Sequence, residues 1–136
     1  MDWLTLHVAA LVLTAAAFGG MLFFMAGVAP TVFRTLDRPQ AALLMRGMFP
    51  VYYLLNGTAL LLAAAALVPG AYGPEIALLA GSGAVFLVLR LGLLPRLETR
   101  RTAGDTAGFA RLHRLSAIIN ILQLVAVTAA FLRLAQ

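Results

Sequence analysis

Four polar side chains recur along the last apolar stretch of this chain, and they are its clearest candidates for chemistry. His113, Ser116, Asn120 and Gln123 follow one another at spacings of three, four and three residues. At 100° per residue they fall within about 80° of one helix face. Such a row of imidazole, hydroxyl and amide groups could bind a small ligand or relay a proton.

Polar residues in two other apolar stretches extend this pattern. The second stretch carries Tyr52, Tyr53 and Asn56, and the third carries Arg90 near its basic end. Polar groups in lipid need partners and usually face the interior of a bundle. We therefore predict a polar seam that binds a ligand or forms a pathway, lined by Tyr52, Tyr53, Asn56, Arg90, His113, Ser116, Asn120 and Gln123. The structural alternative is that these groups only join helices, or that Arg90 extends to lipid headgroups.

The other reactive residues exclude several kinds of chemistry. The sequence has no cysteine, which excludes disulfides and thiolate metal sites. No nucleophile with a base, phosphate loop or carboxylate pair is recognisable, so we predict no catalytic residue and no enzyme activity. A proton pump driven by a carboxylate is also disfavoured, because every acidic residue lies outside the apolar cores: Asp2, Asp37, Glu75, Glu98 and Asp105.

The placement of the two histidines argues against a haem. His7 and His113 belong to opposite ends of the predicted bundle, roughly 30 Å apart by the thickness of a bilayer. They could not ligate one haem within one chain. Met21 and Met25 share a helix face, but thioethers in an apolar helix usually serve packing. We therefore predict no cofactor and no metal site.

The elements that must position these residues are membrane helices. The chain of 136 residues is 62% hydrophobic and 11% charged, whereas a soluble domain carries about a quarter of its residues as charges. A spanning helix needs about 20 apolar residues, and the stretches 3–29, 49–68, 76–94 and 115–132 qualify. The sequence predicts an all-α fold, a four-helix transmembrane bundle forming one domain over 1–136, with the lipid bilayer as its partner.

The distribution of arginine predicts the orientation of this bundle. Nine of the ten arginines flank or fill the first and third connections, and Arg133 alone lies at the other end. Short basic loops stay cytoplasmic. Both termini and the turn at 69–74 should then face outward, which is the periplasmic side if the membrane is a bacterial inner membrane. This arrangement accounts for the net charge of +5, so no nucleic-acid partner is predicted.

Aspartates and prolines predict where the helices begin and bend. Asp37 and Asp105 have the position of N-capping carboxylates, so helices 2 and 4 should extend beyond the membrane on the cytoplasmic side. Helices 1, 2 and 3 each carry a proline near the inner boundary, where it should kink the helix: Pro30, Pro50 and Pro95.

Two stretches of the sequence have the same order of features. Residues 30–56 and 95–120 each begin with a proline, cross a basic connection, contain an arginine and end in an asparagine. This order predicts two helical hairpins in the same orientation, and sites in such repeats lie at the repeat interface. Small residues on helix 1, Gly20, Gly27 and Thr31, should permit close approach of another helix or of a second copy of the chain.

Three segments carry a resemblance to a known family. The order VAPTVFRTL, MFPVYYLLN and FARLHRLSAIINILQL resembles the transmembrane-protein-205-like family of small four-helix membrane proteins, which are largely of unknown function. The markers are Phe49-Pro50 with Tyr52-Tyr53, Leu112-His113 with Ser116, and Asn120. The resemblance implies a multi-pass membrane protein and a role in tolerance of toxic metals or drugs. The resemblance implies no catalytic residue. The absence of cysteine argues against the part of this role that concerns soft metals.

Three functions are compatible with these observations. The favoured one is a transport or resistance component for a small solute, ion or toxicant, with the polar seam as its pathway and a homo-oligomer as its assembly. The alternative is a membrane scaffold or accessory subunit whose polar contacts are structural. A haem or redox membrane protein is the third, and the placement of the histidines counts against it.

Overall fold

Four long helices make up the computed structural model, which describes residues 2–136. They are α1 (Trp3–Thr35), α2 (Arg38–Leu67), α3 (Gly73–Thr102) and α4 (Thr106–Leu134), and each is long and apolar enough to cross a membrane. No strand occurs within residues 2–136. Packing joins α1 to α2, α2 to α3, α3 to α4 and α4 to α1, so α2 and α4 are diagonal partners. The predicted all-α four-helix bundle is confirmed.

The two ends of the bundle differ in their polar contacts. At the end that holds both termini, the His7 ring nitrogen Nε2 lies 3.0 Å from the Leu134 carbonyl oxygen, and the His7 ring packs against Tyr72. Arg133 donates to Glu75 at 2.5 Å. The other end holds both basic connections. We call these the terminal end and the arginine-rich end.

Glu75 differs from the expectation for the acidic residues. It lies in the first turn of α3, and its side chain is only 8% exposed beside Arg133. The sequence indicated only that Glu75 lies outside the apolar cores, and gave no sign that its side chain is buried. The ion pair explains the difference, because a guanidinium group compensates a carboxylate that packing withdraws from water.

The lateral surface of the bundle is apolar. Large side chains such as Phe23 and Leu91 are 71% and 72% exposed, whereas the core contains fully buried Leu60, Phe86 and Val127. Monomeric soluble proteins rarely expose continuous apolar surface of this kind. Together with the four long apolar helices, this surface fits an integral membrane protein in a lipid bilayer.

The predicted N-caps are present at both basic connections. The Asp37 carboxylate accepts a hydrogen bond from the Gln40 amide at 2.9 Å, and α2 begins at the next residue. Asp105 accepts from the Gly108 amide at 2.9 Å, and α4 begins at Thr106. Each carboxylate satisfies one backbone N–H that the first helical turn leaves without a partner.

Helices α1 and α3 continue past the points where the predicted spans end. The spans were expected to close at 29 and 94, but the helices run to Thr35 and Thr102. In each helix a π-helical segment precedes the proline, Phe23–Val28 in α1 and Leu89–Leu93 in α3. A π segment rearranges the backbone hydrogen bonds, so the helix continues through Pro30 and Pro95.

The π segments strengthen the similarity between the two hairpins. The residue directly before each proline donates a hydrogen bond five residues back: Ala29 to the Phe24 carbonyl, and Leu94 to the Leu89 carbonyl. Each hairpin therefore has a π segment, a proline, a capping aspartate and a buried asparagine in the same order. The shared order of features in the two stretches of sequence is therefore accompanied by a shared backbone feature, the π segment before the proline.

Among the glycines of residues 2–136, the closest approach to the backbone of another helix lies between α2 and α3. A Cβ atom added to Gly83 would stand 3.0 Å from the Gly57 carbonyl oxygen and 2.9 Å from Leu61 Cγ. Of the small residues predicted on α1, Gly20 and Gly27 make no such backbone contact within residues 2–136. Gly20 faces only Asn56, and the space at Gly27 is bounded by Phe23 of the same helix.

Candidate ligand site at the arginine-rich end

An aromatic layer crosses the bundle on the arginine-rich side of Asn56. Tyr52 and Tyr53 of α2 point inward and are 7% and 1% exposed. The Tyr52 ring stacks on Phe24 of α1 with 4.3 Å between ring centroids, and both tyrosines contact Phe86 of α3. The rings fill the centre of the bundle here, so the polar seam is not an open channel.

A buried hydrogen bond connects the diagonal helices within this layer. The Tyr52 hydroxyl donates to Asn120 Oδ1 at 3.1 Å, and both groups are buried. The sequence predicted that Tyr52 and Asn120 line one seam, and the structure brings them together. This bond is a direct polar contact between α2 and α4 at the level of the aromatic rings.

Gln123 and Asn56 extend the polar groups toward the terminal end, but in different directions. Gln123 Nε2 donates to the Ser82 carbonyl of α3 at 3.0 Å, and its Oε1 is buried without a hydrogen-bond partner. Asn56 Nδ2 donates to the Tyr52 carbonyl of its own helix at 2.8 Å. Asn56 lines a groove between α1 and α2, so it does not face the α4 residues of the seam.

Ser116 and His113 lie at the start of the row on α4. Ser116 is buried, and its hydroxyl donates to the His113 carbonyl at 2.7 Å. The His113 side chain is exposed, with its ring stacked on Phe109 at 6.2 Å and near Phe49 at 6.5 Å. His113 is at one edge of the predicted 80° face, which explains why it leaves the interior while Ser116, Asn120 and Gln123 remain inside.

Arg90 is fixed to the neighbouring helix. Its Nε donates to the Pro50 carbonyl of α2 at 3.2 Å, and the side chain is half-buried. The guanidinium group therefore joins α3 to α2 near the proline of α2. The sequence predicted Arg90 in the polar seam, with extension to lipid headgroups as the alternative, and neither interpretation predicted this contact with Pro50.

A cavity of about 320 Å³ lies at the arginine-rich end between α2, α3 and α4. His113 is the only residue of the predicted seam that lines it. The other lining residues include charged and aromatic side chains that were not part of the predicted seam: Arg46, Glu98, Arg101, Phe49 and Phe109.

The side chains that line this cavity carry more positive than negative charge. Arg46 and Glu98 form an ion pair, and Arg101 Nη1 lies 3.6 Å from the other oxygen of Glu98. The Arg101 guanidinium carbon also stands 5.1 Å from the centre of the Phe109 ring, in the range of a cation–π contact. Two guanidinium groups share one carboxylate, which leaves an excess positive charge at the cavity. Arg101 Nη1 is buried and makes no hydrogen bond.

Signals for these residues were present in the sequence. Glu98 is one of only five acidic residues, and Arg101 follows it at the i, i+3 spacing that pairs side chains on a helix. Arg46 is one of the arginines in the first of the two similar stretches, residues 30–56. Its pairing with Glu98 depends on how α2 and α3 pack, which spacing along the chain does not reveal.

The two histidines lie at opposite ends of the bundle, because His7 contacts Leu134 and Tyr72 whereas His113 contacts Phe49 and Phe109. Within residues 2–136, no group of three histidine, cysteine or acidic side chains is placed to hold a metal ion. The cavity can therefore offer guanidinium groups, one carboxylate, an imidazole and aromatic faces to a ligand.

Comparison with known proteins gives one match. No curated protein and no solved structure matches the chain. A family model described as a domain of unknown function, DUF4149, matches residues 12–106. This match includes α2, α3 and most of α1, with the aromatic layer and the Arg46–Glu98 pair. The chain therefore belongs to the DUF4149 family, whose members are defined by a domain of unknown function.

Proposed function

We propose that this protein is a membrane transport or resistance component for a small solute, which it binds in the cavity at the arginine-rich end. The single observation that carries the proposal is the sharing of Glu98 by Arg46 and Arg101 within that cavity. No enzyme activity is part of the proposal. A homo-oligomer is its expected assembly, because one small bundle leaves little room for a pathway.

The chemistry of the cavity favours a small organic anion with an apolar part. Arg101 has a buried Nη1 without a hydrogen-bond partner, and guanidinium groups bind carboxylates and phosphates through paired N–H donors. Phe49 and Phe109 supply apolar faces beside it. An anion bound there would replace Glu98 as a partner of one arginine.

Under this proposal, the Tyr52–Asn120 hydrogen bond closes the pathway. It lies between the cavity and Gln123 and crosses the bundle from α2 to α4. A solute passing further would have to displace this bond and the rings of the aromatic layer. Asn120 and Gln123 would then supply polar contacts along α4.

The proposed orientation places the cavity on the cytoplasmic side of the membrane. The basic connections belong to the arginine-rich end, and basic loops are retained on the cytoplasmic side. Both termini would lie in the periplasm of a bacterial cell. The resemblance to the transmembrane-protein-205-like family supports a role in tolerance of toxic compounds, and under this proposal the DUF4149 domain of this chain acts in the same way.

A scaffold or accessory subunit is the second candidate, and a specific observation favours it. The buried amide groups of Asn56, Asn120 and Gln123 each take part in a hydrogen bond inside the protein. The bonds of Asn120 and Gln123 join different helices, and interhelical bonds of this kind can serve packing alone. The two candidates differ in what a substitution in the cavity should change.

The test is accumulation of toxic compounds in cells that express wild type or single variants at matched levels. The panel contains organic anions, organic cations and metal salts, and the variants are Arg101→Gln and Asn120→Leu. Arg96→Gln is the matched control, because Arg96 lies on the same helix, is exposed and does not line the cavity. Thermal unfolding of each purified variant is measured in parallel.

We expect wild type to change the accumulation of at least one organic anion, and Arg101→Gln to remove this effect while the control retains it. If Arg101→Gln and Asn120→Leu lower the unfolding temperature but leave accumulation as in wild type, the transport proposal is wrong and the scaffold candidate replaces it.

A further inference from the structure

A second concave surface lies between α1 and α2 and opens sideways, on the surface that faces lipid. Its volume is about 590 Å³, and exposed Phe23 and Leu55 stand at its rim. The rings of Phe24 and Tyr52 form part of its wall. It shares no lining residue with the cavity at the arginine-rich end.

Asn56 supplies a polar group at the floor of this groove, whereas the hydroxyl of the other polar lining residue, Tyr52, is bonded to Asn120. Asn56 is 7% exposed, and its Nδ2 donates to the Tyr52 carbonyl. Its Oδ1 faces α1 at Gly20, where an added Cβ atom would lie 3.5 Å from it. Among residues 2–136 no donor is bonded to this oxygen, and it does not belong to the fully enclosed polar atoms without a partner. The oxygen is therefore accessible from the groove.

An accessible amide oxygen is unfavourable in a groove that faces hydrocarbon. Hydrocarbon supplies no hydrogen-bond donors, so a polar group left unsatisfied in the bilayer core is energetically costly. The acyl chain of a lipid would fill the groove but has no hydrogen to donate. The groove therefore fits an apolar molecule that carries one donor.

We propose that the α1–α2 groove is a binding site for a lipophilic phenol or alcohol whose hydroxyl group donates a hydrogen bond to Asn56 Oδ1. The apolar part of the ligand lies between α1 and α2, and its ring or chain contacts Phe24 and Val51. The ligand enters from the bilayer, since the groove opens toward lipid. Gly20 is essential because a side chain there would occupy the space in front of the amide oxygen.

The test uses radiolabelled 4-octylphenol and protein in lipid nanodiscs, with empty nanodiscs to subtract partition into lipid. Binding at equilibrium is compared with that of 4-octylanisole, the methyl ether, which has the same shape but no donor. We expect saturable binding of one phenol per chain and an affinity for the ether that is about five to ten times weaker, the usual effect of one hydrogen bond.

Three variants locate the site. Asn56→Leu should weaken phenol binding by the same factor and remove the difference between phenol and ether. Gly20→Val should abolish binding of both probes with Asn56 intact, and it changes an exposed residue, so the fold is retained even if Asn56→Leu fails to fold. Gly19→Val is the matched control, because Gly19 has no atom within 4 Å of an added Cβ and does not line the groove.

Equal affinities of wild type for phenol and ether would overturn the proposal, as would wild-type binding by Gly20→Val or the absence of saturable binding above empty nanodiscs. The assay is independent of the proposed transport. Arg101→Gln should leave phenol binding unchanged, so failure of one proposal is distinguishable from failure of the other.

Discussion

Gly57 and Gly83 face each other across the interface of α2 and α3, so closely that a Cβ atom on Gly83 would stand 3.0 Å from the Gly57 carbonyl oxygen. In lipid no hydrophobic effect drives helices together, so close van der Waals packing has a larger share in their association. Small residues at this crossing bring the two backbones near each other. The crossing holds together the helices that carry Tyr52 and Arg90.

The first prediction concerns this crossing. Gly83→Ala should lower the free energy of unfolding in mixed micelles by about 1–3 kcal/mol, the usual effect of inserting a methyl group into packed surroundings. The carbonyl of Gly57 belongs to the backbone and cannot turn away. Gly81→Ala is the control, because an added Cβ there meets nothing within 4 Å. Equal stability of the two variants would contradict the close approach.

The second prediction concerns the bond between α2 and α4. Tyr52→Phe removes only the hydroxyl that donates to Asn120. We expect a double-mutant cycle of Tyr52→Phe with Asn120→Leu to give a coupling free energy of about 0.6–1.7 kcal/mol, as for side-chain hydrogen bonds in other membrane proteins. The reference cycle pairs Tyr72→Phe with Asn120→Leu and should give no coupling, because Tyr72 belongs to the terminal end.

The third prediction is a pH dependence at the start of α4. Hydrogen bonds from the Gly108 amide and from Arg100 hold the pKa of the Asp105 carboxyl below its ordinary value of 3.8. A lowered pKa in the folded state means that the carboxylate stabilises the fold above pH 3.8, and that this contribution is lost as pH falls through the folded pKa.

Hydrogen exchange at the Gly108 amide measures this effect. Protection should be constant at neutral pH and fall selectively below about pH 4, after correction for intrinsic exchange. Asp105→Asn keeps a capping oxygen but cannot titrate, so its protection should not depend on pH in this range. Identical pH profiles for wild type and Asp105→Asn would argue against the carboxylate as the cause.

The fourth prediction concerns the orientation in the membrane. The chain has no cysteine, so single cysteines can be added without background. Ala71 and Ala103 are both exposed and lie in connections at opposite ends of the bundle. A membrane-impermeant thiol reagent should label Ala71→Cys in intact cells, and Ala103→Cys only after lysis. The reverse pattern would invert the proposed orientation and place the cavity in the periplasm.

Much of the fold could be predicted because length and polarity along the chain determine it. Apolar stretches identify the four helices, and Asp37 and Asp105 mark their N-caps through a short-range hydrogen bond. The ends of α1 and α3 could not be placed. A proline predicts a helix end or a kink, and whether a π segment accommodates it depends on the packing of the whole helix.

The candidate site was predictable in part. Helical spacing placed Ser116, Asn120 and Gln123 on one buried face, because a single helix determines that relation. The contacts of Arg46 with Glu98 and of Arg90 with Pro50 join different helices, so no periodicity reveals them. The direction of Asn56 toward α1 likewise depends on the rotation of α2 within the bundle.

The π segment Leu89–Leu93 has a mechanical consequence for the cavity at the arginine-rich end. One extra residue within a helical turn rotates everything that follows by about 100° relative to an uninterrupted α-helix. Glu98 and Arg101 lie beyond this segment. Their contacts with Arg46 and Phe109 therefore depend on the rotation that the π segment adds to the helix. If the π segment became regular α-helix or moved along α3, the Glu98 carboxylate would rotate away from Arg46. The cavity would then lose its only acidic lining residue.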